Sequence, residues 1–392
     1  MEPMLPSDAA IEKSVLPDLV LTLERKAAML SGMIKPAAAA VIEEHMRVIN
    51  SYYSNLIEGN STHPRDIRQA MRGDYDSDSV KRDLQRESVA HIQVQCYLAG
   101  LQISDAYLLS EPCLLDIHRR FYDGMPESLL TVSSDSGADL AVIPGQFRQH
   151  DVQVGRYIPP ASSDIPALLK RFAEAYRLDW VRGQKRVIAV MSAHHRLLWI
   201  HPFPDGNGRV ARLHTDLFLK HIGIGGYGVW CLSRGLARAN AEYKAMLARA
   251  DFPRQGDADG RGALSESHLV AFCEFMLKTA IDQVEYMADM LDLHGMERRI
   301  RAYVDDRNKG LIRGLPPLRA EATRLLERAF LLGEFPRAEI AEISGLHLPT
   351  ARKLVQQLKE EGLLTETSSR SPLRWAIPEH AERYYFPELA PV

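Results

Sequence analysis

The sequence predicts a mainly α protein with a short β-hairpin flap and a C-terminal winged helix-turn-helix. Three observations carry that prediction. Apolar residues recur at three- and four-residue spacing through most of the chain. Strand-like alternation is scarce before the C-terminal region and concentrates between Pro144 and Pro160. The stretch RAEIAEISGLHLPTARKLVQQLKEEGLLTET reads as helix, tight turn at Gly345, helix and strand, with PLRWAIP able to supply a returning strand.

A chain of 392 residues favours two or three domains. The expected boundaries are 1–100 for an N-terminal helical region, 101–300 for a core and 318–380 for the C-terminal unit. The composition, 46% hydrophobic and 25% charged, is that of an ordinary globular protein, and a formal charge of −3 gives no global attraction to nucleic acid or anionic membrane. The longest apolar runs fall short of a membrane span, and residues 1–20 lack the basic start and apolar block of a signal peptide, so no membrane partner and a cytoplasmic location are expected. Cys96, Cys113, Cys231 and Cys273 lie far apart with no CxxC pair, which fits reduced, mostly buried thiols.

In order, residues 1 to about 35 read as a loose lead-in with short helices. Pro36 then opens a helix whose stripe is Ile42, Met46, Ile49, Tyr53, Leu56 and Ile57, closed by Gly59 and Asn60. Helices follow near 79–101 and 110–122. PGQFRQHDVQVGRYIPP has glycines at each end and alternating Val152 and Val154, and reads as a hairpin or extended flap. Helical pattern returns at 164–182, 184–200, 208–221, 237–250 and 265–294, with a polar loop at 256–263. RNKGLIRGLPPLR, 307–319, is the linker candidate.

The chemistry concentrates in IHPFPDGNGRVARLH, 200–214. Gly206, Asn207 and Gly208 fall between two helices, so unpaired N–H groups at the new helix start make an anion nest. Arg209 and Arg212, three apart, share a face toward the same anion, and two guanidinium groups suit a polyphosphate. Asp205 beside them implies a divalent cation, with Mg²⁺ the natural candidate. His201 can accept a proton from a hydroxyl at neutral pH. Base, metal ligand and phosphate cradle together describe transfer from a nucleoside polyphosphate to a hydroxyl group.

HPFPDGNGRVAR resembles the Fic-domain signature H-P-F-x-[D/E]-G-N-G-R-x-x-R at every fixed position, and the likeness extends over roughly residues 100–255. The resemblance implies a Fic-type helical core that transfers AMP from ATP to a Ser, Thr or Tyr hydroxyl of a target protein and of itself. It makes His201 the base, Phe203 the loop anchor and Asp205 the Mg²⁺ ligand. Gly206, Asn207, Gly208, Arg209, Val210, Ala211 and Arg212 would line the phosphates. Val152, Gln153, Val154 and Gly155 in the flap 145–158 would register the target by main-chain pairing. Tyr243, Lys244 and Asp251 fall where the family lines its nucleoside pocket, with Asp251 standing where relatives have asparagine. Doc-type relatives that move a phosphate carry lysine in place of Gly208, and phosphocholine-transferring relatives alter the Gly206 position, so both glycines favour AMP as the cargo over transfer of another phosphate group.

SNLIEGN matches the family's inhibitory pattern [S/T]-x-x-x-E-[G/N] through Ser54, Glu58 and Gly59. A carboxylate brought to Arg212 would pair with it and take the space and charge that the γ-phosphate needs. In some relatives the same glutamate helps water remove AMP, so de-AMPylation is an alternative activity. Relatives often form dimers, which makes a homodimer an expected partner state. A different class of reading is a DNA-binding regulator that presents Thr350, Arg352, Lys353 and Gln356 from a helix at about 348–361. Between Leu318 and Trp375 nine Lys or Arg stand against eight Asp or Glu, 9 − 8 = +1, too balanced for a DNA-reading face.

Overall fold

The structure is a computed structural model that describes residues 3–133, 139–389 and 391. Eighteen α-helices, three single-turn 3₁₀ helices and five short strands account for the regular structure among them. In order the helices are α1 (Asp8–Lys13), α2 (Leu16–Met33), α3 (Pro36–Ile57), α4 (Pro64–Met71), α5 (Ser79–Gly100), α6 (Asp105–Leu108), α7 (Glu111–Tyr122), α8 (Ile165–Ala175), α9 (Lys185–Ile200), α10 (Asn207–His221), α11 (Leu232–Arg238), α12 (Asn240–Ala250), α13 (Glu266–Leu291), α14 (Leu293–Asn308), α15 (Ala322–Leu332), α16 (Ile340–Ser344), α17 (Leu348–Glu360) and α18 (Glu379–Tyr385). The strands are β1 (Thr131–Ser133), β2 (Asp139–Ala141), β3 (Glu334–Phe335), β4 (Leu364–Thr365) and β5 (Leu373–Trp375). No helix among the described residues is long and apolar enough to cross a membrane.

The chain divides into two compact units, one of Met1–Lys26, Asn50–Tyr227 and Cys231–Gln283, the other of Ala27–Ile49, Gly228–Trp230 and Val284–Val392. In the first unit α9 and α10 pack against each other, with α8 on α9 and α5 and α7 on α10. Every residue of α9 from Val187 to Leu197 is buried, as expected of a helix surrounded on all sides. The loop that joins this central pair is residues 201–206, so whatever it carries is fixed by the best-packed part of the unit.

In the second unit α14 packs on α15 and α18, and α15–α16–α17 lead into a three-stranded antiparallel sheet of order β3-β5-β4. Glu334 pairs with Arg374, Phe335 with Leu373, Leu364 with Trp375 and Thr365 with Arg374. The tight turn falls at Gly345, in the left-handed region (φ 72°) that costs a Cβ-bearing residue energy. Trp375 is fully buried edge-on to Phe330, ring centroids 5.2 Å apart.

Several expected elements moved. The N-terminal lead-in contains an 18-residue helix, α2, whose residues Leu16, Val20, Leu23, Ala27 and Leu30 are completely buried. That four-three-four-three spacing is a helical stripe that the prolines nearby obscured. The hairpin strands pair at 131–141, upstream of the alternation that suggested them. Residues 144–160 instead form an extended segment with a single bridge, Val154 to Tyr157. The helix expected at 164–182 ends at Ala175, and that at 237–250 is broken at Ala239 between α11 and α12. The expected linker is preceded by a further helix, α14, and is tied down: Arg307 Nε donates to the Pro316 carbonyl at 2.6 Å and Leu318 N–H to Asn308 Oδ1 at 2.8 Å.

Candidate active site

The loop between α9 and α10 is held from beneath by aromatic packing. Phe203, fully buried, stacks on His118 with ring centroids 4.0 Å apart and planes 6° apart, and Phe147 covers it at 5.4 Å. Asn207 closes the loop on itself, its Oδ1 accepting from Phe203 N–H at 2.9 Å and its Nδ2 donating to the Phe203 carbonyl at 2.8 Å. Gly206 sits at φ 78°, and a Cβ there would lie 2.8 Å from the Tyr122 ring. It is also the N-cap of α10 and offers no side-chain cap, which leaves the first N–H groups of that helix aimed outward.

His201 caps α9 in the left-handed region (φ 50°), a strained conformation for a residue with a Cβ. Burial and the nearby Arg148 cation push its imidazole down to about 4, with the Leu198 main chain pulling weakly the other way. A neutral ring carries one N–H and leaves its other nitrogen as an acceptor.

The two arginines of the motif part company. Arg209 pairs with Glu87 and donates from Nη2 to Asp205 Oδ2 at 3.0 Å and to the Tyr122 hydroxyl at 3.1 Å. Tyr122 in turn donates to Asp205 Oδ2 at 2.6 Å. Burial raises the Asp205 carboxyl, yet Arg209 and the Tyr122 hydroxyl outweigh it and hold the group below its ordinary range. Arg212, almost fully buried, donates from Nε to Ser54 Oγ at 2.8 Å and from Nη2 to the Ser54 carbonyl at 2.9 Å and to Glu58 Oε1 at 2.6 Å. Burial pushes the Glu58 carboxyl up, but Arg212 and Arg209 win and hold it ionised below the ordinary carboxylate value.

Glu58 occupies the mouth of α10. A Cβ built on Gly208 would meet Glu58 Oε1 at 2.1 Å, so that carboxylate rests directly over the backbone where the nest opens. Gly59, at φ 93°, and buried Asn60, which donates to the Leu84 carbonyl at 2.9 Å, end α3 so that Glu58 points there.

The other expected residues are placed as follows. Val152, Gln153, Val154 and Gly155 lie on the extended segment, where Val154 and Tyr157 exchange main-chain hydrogen bonds and Gln153 Nε2 reaches the Gly155 carbonyl at 2.8 Å. Val210 and Ala211 are buried in α10. Tyr243 is buried and its hydroxyl meets His194 Nε2 at 2.7 Å; Asp251 stands 3.3 Å from His195 Nε2; Lys244 is exposed. Sequence reasoning missed Tyr122, Glu87, His118 and Arg148. None belongs to the signature, and only three-dimensional packing brings them to it.

Asp205 is the one carboxylate of the loop, its side chain 41% exposed, and no group of three or more His, Cys, Asp or Glu side chains among the described residues is arranged to hold a metal. That donor set fits a Mg²⁺ that arrives with phosphate oxygens and water as its other ligands, and does not fit a closed protein cage.

The segment that builds this site, 108–219, matches the model of the Fic/DOC family. Similar curated proteins are named protein adenylyltransferase Fic: that of Drosophila willistoni is 27% identical over 228 residues, 55% of this chain and 42% of the relative, and that of Culex quinquefasciatus 27% over 186 residues, 46% and 33%. The matched stretch thus spans less than half the length of those relatives. Among solved structures, a Fic family protein from Desulfovibrio desulfuricans G20 superposes with a TM-score of 0.52 at 17% identity, covering 91% of this chain and 96% of that one. Fic-1 (residues 134–508) from C. elegans gives 0.55 at 16% identity, covering 71% and 73%. These likenesses show a shared fold. The motif residues and their partners form one connected set that reaches beyond the matched segment, to Glu87 through Arg209 and to Ser54 and Glu58 through Arg212.

Proposed function

We propose that this protein transfers AMP from ATP to a hydroxyl side chain of a target protein and of itself, and that Glu58 restrains it. One observation carries the reading: an ionised glutamate from the turn that closes α3 sits on Arg212 and over Gly208, at the helix start where a triphosphate would place its negative charge. A carboxylate in an anion nest is what a built-in competitor for phosphate looks like.

In this reading His201 accepts the proton of the attacking hydroxyl, whose oxygen bonds to the α-phosphorus as the bridge to the β-phosphate breaks and pyrophosphate leaves. The loop N–H groups and Arg212 bind the phosphates, and Arg209, fixed by Glu87, holds Asp205 in place beside them. Mg²⁺ bound through Asp205 would supply charge neutralisation on the polyphosphate. The extended segment 151–158, with its main chain exposed, suits pairing with a strand of the target.

Glu58→Gly should raise auto-modification by α-labelled ATP by at least on the order of tenfold, because it frees both Arg212 and the space over Gly208 for the phosphates. Equal labelling of the two proteins would end the restraint, and equal labelling after His201→Ala would end the enzymatic reading. The elements of the C-terminal unit match a winged helix-turn-helix in order. Two of its cations are paired, Arg374 with Glu334 at 2.9 Å and Lys359 with Glu366 at 2.5 Å, and with its charge nearly balanced overall, contact with protein is favoured over DNA.

A further inference from the structure

Arg148 belongs to none of the residues assigned above, yet it is the most heavily committed side chain next to the base. Its side chain is 1% exposed. Nε donates to the His201 carbonyl at 2.8 Å, Nη1 to the His150 carbonyl at 3.0 Å and Nη2 to the Pro160 carbonyl at 2.5 Å. Its own N–H donates to the Pro202 carbonyl at 2.9 Å. The nearest carboxylate, Asp151, is 3.7 Å away and mostly solvated, so the buried guanidinium is satisfied chiefly by main-chain oxygens.

The three side-chain acceptors come from three places that must act together: the two ends of the segment that would receive the target, and the backbone of the base. A guanidinium is planar, with five donors in a fixed fork, so acceptors that share it are fixed relative to one another. The carbonyl it takes from His201 belongs to the residue held at φ 50°, a conformation that persists only where surroundings over-determine it. Its hydrogen bonds all end outside residues 205–212, so the phosphate cradle does not depend on it directly.

We infer that Arg148 is a positioning residue that locks the target-receiving flap and the His201 base into one rigid unit, setting the geometry of transfer without contributing to nucleotide binding. The inference rests on the proposed AMP transfer for its chemistry. A structural staple alone would predict loss of fold; coupling predicts a division between binding and rate.

The test uses the full-length Glu58→Gly protein as parent, with Arg148→Lys and Arg148→Gln added. ATP–Mg²⁺ affinity is measured by calorimetry, single-turnover auto-modification at saturating ATP by label, and amide hydrogen exchange by mass spectrometry. We expect ATP affinity within about threefold of the parent, a rate at least on the order of tenfold lower because misplacing a reacting group by about 1 Å costs that much or more, and faster exchange at 150–160 and 201–202 together. Should Arg148→Gln not fold, Arg148→Lys, which keeps the charge and loses the fork, carries the same comparison. Undiminished transfer in Arg148→Lys, or exchange that rises in the flap alone, overturns the coupling. A parent that binds no ATP overturns the transferase reading instead.

Discussion

The loop 201–206 and the extended segment 151–158, which the proposed reaction brings together, are built in opposite ways. The loop is anchored by fully buried Phe203, closed by the reciprocal Asn207 pair and wedged by a glycine that tolerates no Cβ. The flap is largely exposed, with Val154 at 46% and Ile158 at 73%, and its one internal bridge joins Val154 to Tyr157. An invariant partner such as a phosphate chain rewards a rigid receptor, because nothing need be reordered on binding. A partner of variable sequence rewards open main chain, whose donors and acceptors are the same whatever side chains arrive. Gly155 and Gly206 show the contrast in one residue type: both have positive φ, yet a Cβ at 155 meets nothing within 4 Å.

Four measurements would break or sharpen this contrast. The largest effect should come from His201→Ala, which lowers transfer by about 10²–10⁴-fold, the usual worth of a general base, with ATP affinity nearly unchanged; a comparable loss from any single flap side chain would erase the distinction. Phe203→Ala should cost about 3–5 kcal/mol of stability by denaturant unfolding, as deletion of a buried ring does, whereas Val154→Ala should stay within about 0.5 kcal/mol. Gly206→Ala should lose about 1–2 kcal/mol for its left-handed backbone and a further ~1–3 kcal/mol for crowding Tyr122, against the backbone cost alone for Gly155→Ala. The gentlest probe is pH. Burial holds His91 near about 3 and His118 and His214 near about 4, all below the ordinary imidazole value. The unfolded chain therefore takes up protons first, so this stability is complete above about pH 6.5 and is lost as pH falls toward 4. Asp216, pushed by burial to about 6, acts oppositely, losing stability as pH rises from about 4 to 6. These three imidazoles, together with His201, outnumber the one raised carboxyl and predict a net fall in the denaturation midpoint between pH 7 and pH 5; a flat midpoint would contradict the burial of these histidines.

Much of the site could be read in the sequence because its residues are contiguous. His201 to Arg212 are neighbours in the chain, and a helix start after a glycine turn has one geometry. Glu58 could be placed opposite Arg212 from its own short pattern, and the structure puts them 2.6 Å apart. What could not be read is whatever reaches the motif through space. Glu87 comes from α5, Tyr122 from the end of α7 and Arg148 from the segment after β2, and nothing local in those stretches distinguishes them from a solvated acid, a core aromatic or a surface cation. The same reasoning covers Arg209. Its spacing to Arg212 placed both on one face, but a glutamate 122 residues earlier claims it. Of the fold, long periodic helices such as α5, α9 and α10 were legible to within a residue or two. The strands were misplaced because a two- or three-residue strand carries no period, and valines at 152 and 154 alternate without a neighbouring strand to pair with.

The Glu58 carboxylate fills the space beside Gly208. Because the Glu58 carboxylate and any incoming phosphate would need the same few cubic ångströms, a side chain introduced at 208 would evict both at once. On the proposed restraint, a substitution at 208 would therefore remove phosphate binding together with the restraint, whereas a change at Glu58 would remove the restraint alone.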